Sequence, residues 1–215
     1  TLTVPKKSST TEPICVHLRL KENGQQSLKQ SKTSKKFVYL ISPNKIEDES
    51  FYTNLALVLS TKKISFFQLR LKKETSLNKL MIGKKIKKIC KKYKVKFLIN
   101  DDPLLAKKLN ADGCHLGQKD MDLIKARKIL KDKIIGVTCH NSINLAKIAI
   151  KAGADYLAFG AFYTSKTKIV KYRASLKILK SIKKITLLPI VAIGGIKLNN
   201  YKKLLLNKAN FLAIS

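Results

Sequence analysis

The sequence predicts an α/β protein folded as one (β/α)8 barrel, the TIM-barrel architecture, apparently truncated after its eighth strand. Two observations predict this fold. Short apolar runs of strand length alternate with longer segments in which apolar residues recur every three or four positions. The chain has eight such runs and seven such segments. Regular alternation of this kind indicates parallel strands with helical crossovers, and eight strands favour a closed barrel.

The elements follow in order from these patterns. The predicted strands are Phe37–Ile41, Ser65–Leu69, Val95–Ile99, Gly113–Leu116, Ile134–Val137, Tyr156–Phe159, Leu188–Ile193 and Phe211–Ile214. The predicted helices are residues 47–60, 75–93, 103–110, 121–131, 142–152, 174–184 and 198–207. Three similar segments, 111–114, 152–156 and 207–211, each pass from a helix end through small residues into a strand, as repeated αβ units do.

The two ends of the chain stand apart from this pattern. Residues 1–36 are rich in Ser, Thr, Lys and Gln and show no sustained period, which predicts a disordered or foreign leader before a barrel domain at 37–215. The chain lacks an initial methionine and stops in an apolar run, so we expect a fragment cut before an eighth helix. An open α/β sheet is the alternative, but no GxGxxG or P-loop follows the first strand.

Charge and cysteine content limit the function classes. The net charge is +32, but only four of the 45 basic residues are arginines, and the lysines occur in almost every predicted helix. A solvated lysine surface explains this better than a nucleic-acid site, which favours arginine. No apolar stretch is long enough for a membrane helix, and no signal peptide is visible. The four cysteines form no CxxC pair, which favours reduced thiols in a cytoplasmic protein.

Polar residues gather where the predicted strands end, which is where barrels carry their sites. Asp101 and Asp120 follow neighbouring strands and can share one Mg²⁺ ion. Arg70, Lys72 and Lys168 are cations suited to a leaving pyrophosphate. A second anion, a phosphate monoester, is predicted near Gly194-Gly195, Ser215 and the hydroxyls of Ser165 and Thr167.

Several of these residues also have a purely structural interpretation. Asp102, followed by Pro103, is best read as a helix N-cap, and Asp120 could cap the helix at 121–131. His115 lies at a buried strand end and is expected to be structural. His140 is expected to be a hydrogen-bonded neighbour of the site and not a general base, and Cys114 and Cys139 to be apolar fillers.

Six motifs in this order resemble the thiamine phosphate synthase family over about residues 36–215. They are Gln68-Leu69-Arg70-Leu71-Lys72, Asn100-Asp101, the segment from His115 to Asp120, the segment from Gly136 to His140, the loop Ser165-Lys166-Thr167-Lys168, and Ala192–Ile196. The resemblance implies a (β/α)8 barrel that joins hydroxymethylpyrimidine diphosphate to hydroxyethylthiazole phosphate, with Mg²⁺ and release of pyrophosphate. The family reaction is dissociative, so the protein supplies positioning and electrostatics in place of a nucleophile.

The resemblance also implies roles for individual residues. Asp101 and Asp120 would bind Mg²⁺. The pyrimidine diphosphate would be held by Gln68, Leu69, Arg70, Leu71, Lys72, Asn100, Thr138 and Lys168, and the thiazole phosphate by Ser165, Lys166, Thr167, Gly195, Ile214 and Ser215. Thr138 stands where the family usually has Ser, Ser165 where it often has Thr, and the Gly-Pro-rich turn that often follows the lysine is missing from residues 169–174.

Two other functions stay open at this point. A thiazole tautomerase-like barrel would not need the second carboxylate, Asp120. A non-catalytic, lysine-rich binder of nucleic acid or other anions would bind with a steep salt dependence, insensitive to Asp101. The expected partners are small-molecule substrates, with neither nucleic acid nor membrane, and a homo-oligomer is left open.

Overall fold

The computed structural model describes residues 36–164 and 172–215. Eight parallel strands close into a barrel in chain order, and the last strand pairs with the first. The strands are β1 Val38–Ile41, β2 Ile64–Leu69, β3 Lys96–Asn100, β4 Gly113–Leu116, β5 Ile134–His140, β6 Tyr156–Gly160, β7 Ile190–Ile193 and β8 Phe211–Ile214. The helices are α1 Ser50–Ser60, α2 Ser76–Lys92, α3 Pro103–Lys108, α4 Leu123–Leu130, α5 Ile143–Lys151, α6 Leu176–Lys183 and α7 Tyr201–Leu206. The predicted barrel and the order of its elements are confirmed.

Strand ends are where the sequence prediction was wrong. β5 continues to His140 instead of ending at Val137, with an irregular register between Thr138 and His140, and β3 continues to Asn100. The apolar criterion stopped these strands too early because Asn100 and Thr138 are polar, and their side chains bond to Gln68 and His115 on the neighbouring strands.

Helix starts were also predicted too early. α4 begins at Leu123 because the Asp122 carboxylate accepts the backbone N–H groups of Ile124 and Lys125. The cap of this helix is therefore Asp122 and not Asp120. Asp102 caps α3 through Leu105 N–H, with Pro103 at the first helical position, as predicted. None of the helices in the described ranges combines the length and apolar character needed to cross a bilayer.

The apolar core has two layers. The outer layer fills the space between the strands and the helices, and it includes the buried thiols of Cys90, Cys114 and Cys139. The inner layer fills the barrel with side chains from alternate strand positions: Tyr39, Ile41, Phe66, Leu98, Tyr156, Ala158, Val191, Phe211 and Ala213. Gly136 makes room for one of these, because a Cβ at this position would lie 1.8 Å from Cζ of Tyr156. The inner layer closes the barrel below the strand ends.

The repeated αβ segments share one pattern of hydrogen bonds at the end of the barrel where the strands begin. Asp112, Asp155 and Asn210 each precede an even-numbered strand. Their side chains accept the backbone N–H of Phe97, Ile135 and Ile190 respectively, at 2.7–2.9 Å. Each also donates its own N–H to the carbonyl of that same residue, at 2.8 Å. The small-residue turn thus ties each helix end to the preceding strand.

Candidate active site

Side chains from the carboxyl ends of β2 and β3 meet at the mouth of the barrel. Gln68, 3% exposed, donates from Nε2 to Oδ1 of Asn100 at 2.5 Å. The predicted site residues Leu69 and Leu71 on either side of Arg70 are buried in the outer layer. Both leucines also line a cavity of about 90 Å³ that reaches Lys72, Asn100 and Asp101. Of the predicted pyrimidine diphosphate residues at the ends of these two strands, Leu69, Leu71, Lys72 and Asn100 therefore line one space.

Asp101 turns the chain sharply as β3 ends. Its backbone has a positive φ of 64°, and its N–H donates to the carbonyl oxygen of His115 on the neighbouring strand at 2.8 Å. Non-glycine residues adopt this conformation rarely, and aspartate is among those that tolerate it best. The turn lets α3 begin at once, with Asp102 as its cap, while the Asp101 carboxylate stays at the strand end.

The carboxylate of Asp120 is held beside that of Asp101. Its Oδ2 accepts the N–H of Gly117 at 2.6 Å, which closes the short loop after β4. Gly117 suits this contact, because a Cβ there would lie 2.9 Å from the same oxygen. The pKa of Asp101 is raised to about 6, by burial first and then by a hydrogen bond and charge repulsion from Asp120. The Lys72 ammonium, 3.7 Å from Asp101 Oδ2, opposes that shift.

Two adjacent carboxylates at a strand end fit a hard divalent cation. Within residues 36–164 and 172–215, no group of three or more His, Cys, Asp and Glu side chains is arranged to hold a metal ion. Mg²⁺ needs fewer protein ligands, because one or two carboxylates suffice when water and substrate phosphate complete its shell. The mutual repulsion that raises the pKa of Asp101 is what a bound cation would relieve. The Asp101–Asp120 pair therefore fits Mg²⁺.

Arg70 is anchored by residues that the sequence reasoning missed. Its backbone N–H donates to Oγ of Ser42 at 2.8 Å, and its guanidinium Nη1 donates to Oδ1 of Asn44. Ser42 in turn donates its N–H to the carbonyl of Gln68 at 2.9 Å. Both missed residues directly follow β1, so a search that included the end of the first strand would have found them.

A second polar group lies below the mouth, inside the barrel. Thr138 Oγ1 is 2.8 Å from Nε2 of His115, and Nδ1 of His115 is 2.8 Å from the hydroxyl of Tyr156. The Tyr156 hydroxyl is 2.8 Å from that of Tyr39. Burial lowers the pKa of His115 to about 4, although the charge of Asp120 opposes this, so the imidazole is neutral near pH 7. His115 is thus a buried, hydrogen-bonded histidine, as expected, with Thr138 at its outer end.

On another side of the mouth the chain makes a tight turn after β7. Gly194 and Gly195 follow β7 with φ of 102° and 62°. A Cβ on Gly195 would lie 2.2 Å from the carbonyl oxygen of Thr164, so glycine is required here for close packing as well as for conformation. The amide of Asn200 donates to the Gly195 carbonyl, and the Tyr163 hydroxyl donates to the Asn200 carbonyl, both at 3.0 Å. These bonds fix the turn beside the end of β8, where Ile214 and Ser215 lie.

Of the remaining predicted residues, the structure describes His140 only. His140 has a positive φ of 52° and its ring stacks on Tyr172 with centroids 4.2 Å apart, so it packs against the chain just after the loop following β6. Ser165, Lys166, Thr167 and Lys168 lie outside the described residues.

Comparison with known proteins agrees with this geometry. The family model described as thiamine monophosphate synthase matches residues 38–215. A thiamine-phosphate synthase of Pelagibacter ubique is 87% identical over 188 residues, which cover 87% of this chain and 91% of that protein. Another, of Nitrosomonas eutropha, is 40% identical over 179 residues, covering 83% and 84% of the two chains.

The fold has a similar counterpart among solved structures. A thiamine phosphate pyrophosphorylase from Pyrococcus furiosus superposes with a TM-score of 0.72 at 28% identity, covering 84% of this chain and 85% of that one. The match of the family model runs from the first strand of the barrel to the last residue of the chain. By sequence and by fold, the chain belongs to the thiamine monophosphate synthase family.

Proposed function

We propose that this chain is a thiamine-phosphate synthase, which joins a hydroxymethylpyrimidine diphosphate to a hydroxyethylthiazole phosphate and releases pyrophosphate. The observation that carries the proposal is the adjacent pair of carboxylates, Asp101 and Asp120, with the ammonium of Lys72 at 3.7 Å from Asp101. A carboxylate pair beside fixed cations at the mouth of a barrel suits a metal-bound diphosphate.

We propose the following roles for the individual residues. Asp101 and Asp120 hold Mg²⁺, which when bound would supply neutralisation of charge on the diphosphate oxygens. Arg70, pre-oriented by Ser42 and Asn44, and Lys72 bind the departing pyrophosphate and stabilise the negative charge that develops as the bond breaks. Gln68 and Asn100 orient each other and, with Thr138, the pyrimidine.

The other substrate would lie on the opposite side of the mouth. The backbone of Gly195 and the end of β8, at Ile214 and Ser215, would bind the thiazole phosphate, together with the loop residues Ser165, Lys166 and Thr167. Lys168 would join the cations on the diphosphate. The thiazole nitrogen then captures the pyrimidine methyl cation, so the residues supply proximity and no protein nucleophile is required.

The experiment is the formation of thiamine phosphate from the two substrates, with Mg²⁺ and with a chelator, in the parent and in Asp120→Asn. The variant keeps an acceptor for Gly117 N–H but loses the charge. We expect the parent to form product only with Mg²⁺, and the variant to be slowed by about 100-fold or more. The matched control is Asp122→Asn, two residues away, because asparagine caps helices as well as aspartate does.

Each result has a clear meaning. No thiamine phosphate from the folded parent would contradict the synthase proposal and favour a tautomerase-like activity, which does not need Asp120. Equal product from the parent and Asp120→Asn would contradict the metal-binding role of that carboxylate. We also propose a cytoplasmic location, which the free thiols of Cys90, Cys114 and Cys139 support.

A further inference from the structure

Four hydrogen-bonding groups form a single line through the barrel interior and end at the proposed site. They are, in order, the hydroxyl of Tyr39, the hydroxyl of Tyr156, the imidazole of His115 and the hydroxyl of Thr138, each 2.8 Å from the next. Both tyrosines are 1% exposed and His115 is 9% exposed. Thr138 is only half-buried, since it lies where β5 reaches the mouth.

The direction of these bonds follows from counting protons. Three hydroxyls and one neutral imidazole carry four hydrogen-bonding protons, and the line contains three bonds, so one proton is left over. An imidazole nitrogen cannot hold the spare proton, because both ring nitrogens are engaged within the line. The spare proton therefore belongs to Tyr39, Tyr156 or Thr138.

Burial decides among these three. In the described part of the chain, the Tyr39 hydroxyl bonds only to Tyr156, and the Tyr156 hydroxyl only to Tyr39 and His115. A spare proton on either phenol would be an unsatisfied donor in the apolar interior, which costs free energy. On Thr138 the same proton can point into the mouth. Tyr39 thus donates to Tyr156, Tyr156 donates to His115 Nδ1, and His115 Nε2–H donates to Thr138.

We propose that Tyr156 and His115, with Tyr39 at the inner end of the line, are positioning residues that make Thr138 a hydrogen-bond donor to the substrate, and that the order of protons depends on Tyr156 and His115. Thr138 Oγ1 accepts the N–H of His115 and keeps its own proton for an acceptor on the substrate, either a ring nitrogen of the pyrimidine or an oxygen of its diphosphate. An amino group at that place could use only the remaining lone pair of Oγ1 and would leave that proton without a partner. This inference rests on the proposed function for the identity of the substrate, but the proton order does not depend on it.

The proton order can be measured without any substrate. The chain has three histidines, so ¹⁵N-histidine labelling and a His115→Gln variant identify the His115 nitrogens in two-bond ¹H–¹⁵N spectra. We expect the Nε2–H tautomer, with Nδ1 unprotonated. Observation of the Nδ1–H tautomer would overturn the proposal, whether or not the protein is an active synthase.

Two tyrosine variants test the line itself. Tyr156→Phe keeps the ring that packs on Gly136 but removes the donor to Nδ1, so both tautomers should become populated. Tyr39→Phe is the matched control, because Tyr156 can still donate to His115 after the terminal hydroxyl is lost. An unchanged tautomer in Tyr156→Phe would contradict a positioning role for that hydroxyl.

The acceptor on the ligand is located by calorimetry with Thr138→Val and Thr138→Ser. The probes are the pyrimidine diphosphate and inorganic pyrophosphate, each with Mg²⁺. We expect Thr138→Val to weaken the binding of the pyrimidine diphosphate by about tenfold and Thr138→Ser to bind it as tightly as the parent does. If Thr138→Val loses as much affinity for pyrophosphate as for the pyrimidine diphosphate, the acceptor is a phosphoryl oxygen. If its affinity for pyrophosphate is unchanged, the acceptor is on the ring. Unchanged affinity for both probes in Thr138→Val would overturn the inference.

Discussion

Asp101 combines a left-handed backbone with a carboxyl that is costly to ionise. Its φ is 64° and its pKa is raised to about 6 from an ordinary value of 3.8. Both features oppose stability in the protein without metal, and the raised pKa arises because the carboxyl is buried and lies beside Asp120. Strain at a residue of this kind is typical of functional sites.

The pH dependence of stability follows from the direction of that shift. A carboxyl with a raised folded-state pKa stabilises the fold most when protonated, so its contribution is complete below pH 3.8 and is lost as the pH rises to about 6. We therefore expect Asp101→Asn, without Mg²⁺, to melt at a higher temperature than the parent at pH 8 and to lose that advantage near pH 4. Thermal melting in chelator measures this.

The control for this prediction is the adjacent carboxylate. Asp102→Asn keeps the cap on α3 and leaves Asp101 in place, so the loss of stability that Asp101 causes between pH 4 and 6 should remain in this variant. If Asp101→Asn and the parent lose stability in parallel between pH 4 and 6, the burial of Asp101 is not the source of the effect.

Gly195 lies in the tight turn after β7, where a side chain has no room. Gly195→Ala would face both a φ of 62° and the Thr164 carbonyl 2.2 Å from the new Cβ. Gly153→Ala is the matched control, since its φ is 90° but nothing lies within 4 Å of its Cβ. We expect a loss of about 1–2 kcal/mol in unfolding free energy for Gly153→Ala and a larger loss for Gly195→Ala. Denaturant titration compares them, and equal losses would mean that the loop after β6 moves aside.

At the scale of elements, the Asx residues before the even strands explain why three segments of the sequence look alike. Asp155 is the most connected of them, because Oδ2 accepts Ile135 N–H at 2.7 Å and Arg127 Nη2 at 2.6 Å. The same guanidinium donates to the carbonyls of Lys131, Lys133 and Gly153. One side-chain pair thus joins the end of α4 to β5 and to the turn before β6.

Removal of this pair should therefore cost more than removal of a surface pair. We expect Asp155→Ala to lower the free energy of unfolding by about 2–3 kcal/mol, because it leaves Ile135 N–H without an acceptor and a partly buried guanidinium without its counter-ion. The Arg127 and Asp155 side chains are 28% and 19% exposed, so we place the loss below that of a fully buried pair. Glu49→Ala, at the exposed Glu49–Lys85 pair, is the control and should have a clearly smaller effect. Similar losses in denaturant titrations would contradict this ranking.

The boundaries of the elements show where sequence patterns stop being informative. The start of α3 was predicted correctly because its signals are local. Asp102 and Pro103 are adjacent, and the Asp102 cap acts on a residue only three positions further on. The ends of β3 and β5 were missed because Asn100 and Thr138 are polar by sequence and are satisfied only by Gln68 and His115, which are distant in the chain. Local signals predict local structure, whereas a buried polar residue depends on a partner that the sequence does not identify.

At the scale of the whole molecule, the net charge of +32 means that positive charges repel one another across the surface. Self-repulsion of this kind opposes the compact state and is screened by salt, with a Debye length of about 10 Å at 0.1 M. We expect the melting temperature to rise as NaCl is raised from about 0.05 to 0.5 M, although salt weakens the exposed ion pairs. Changing Lys84, Lys88 and Lys91, exposed on α2, to glutamine should reduce the rise. A melting temperature that falls with salt would show that ion pairs outweigh repulsion.

The sequence by itself determined the alternation of strands and helices, the closed barrel and the strand ends that carry Asp101, Asp120, Arg70 and Lys72. It could do so because periodicity and strand-end position are local properties that the barrel converts into one shared face. Only the tertiary structure decided that Ser42 and Asn44 hold Arg70, that burial and then Asp120 raise the pKa of Asp101, and that Tyr39, Tyr156 and His115 reach Thr138. These relations join residues that are far apart in sequence, and closure of the barrel is what brings them within hydrogen-bonding distance.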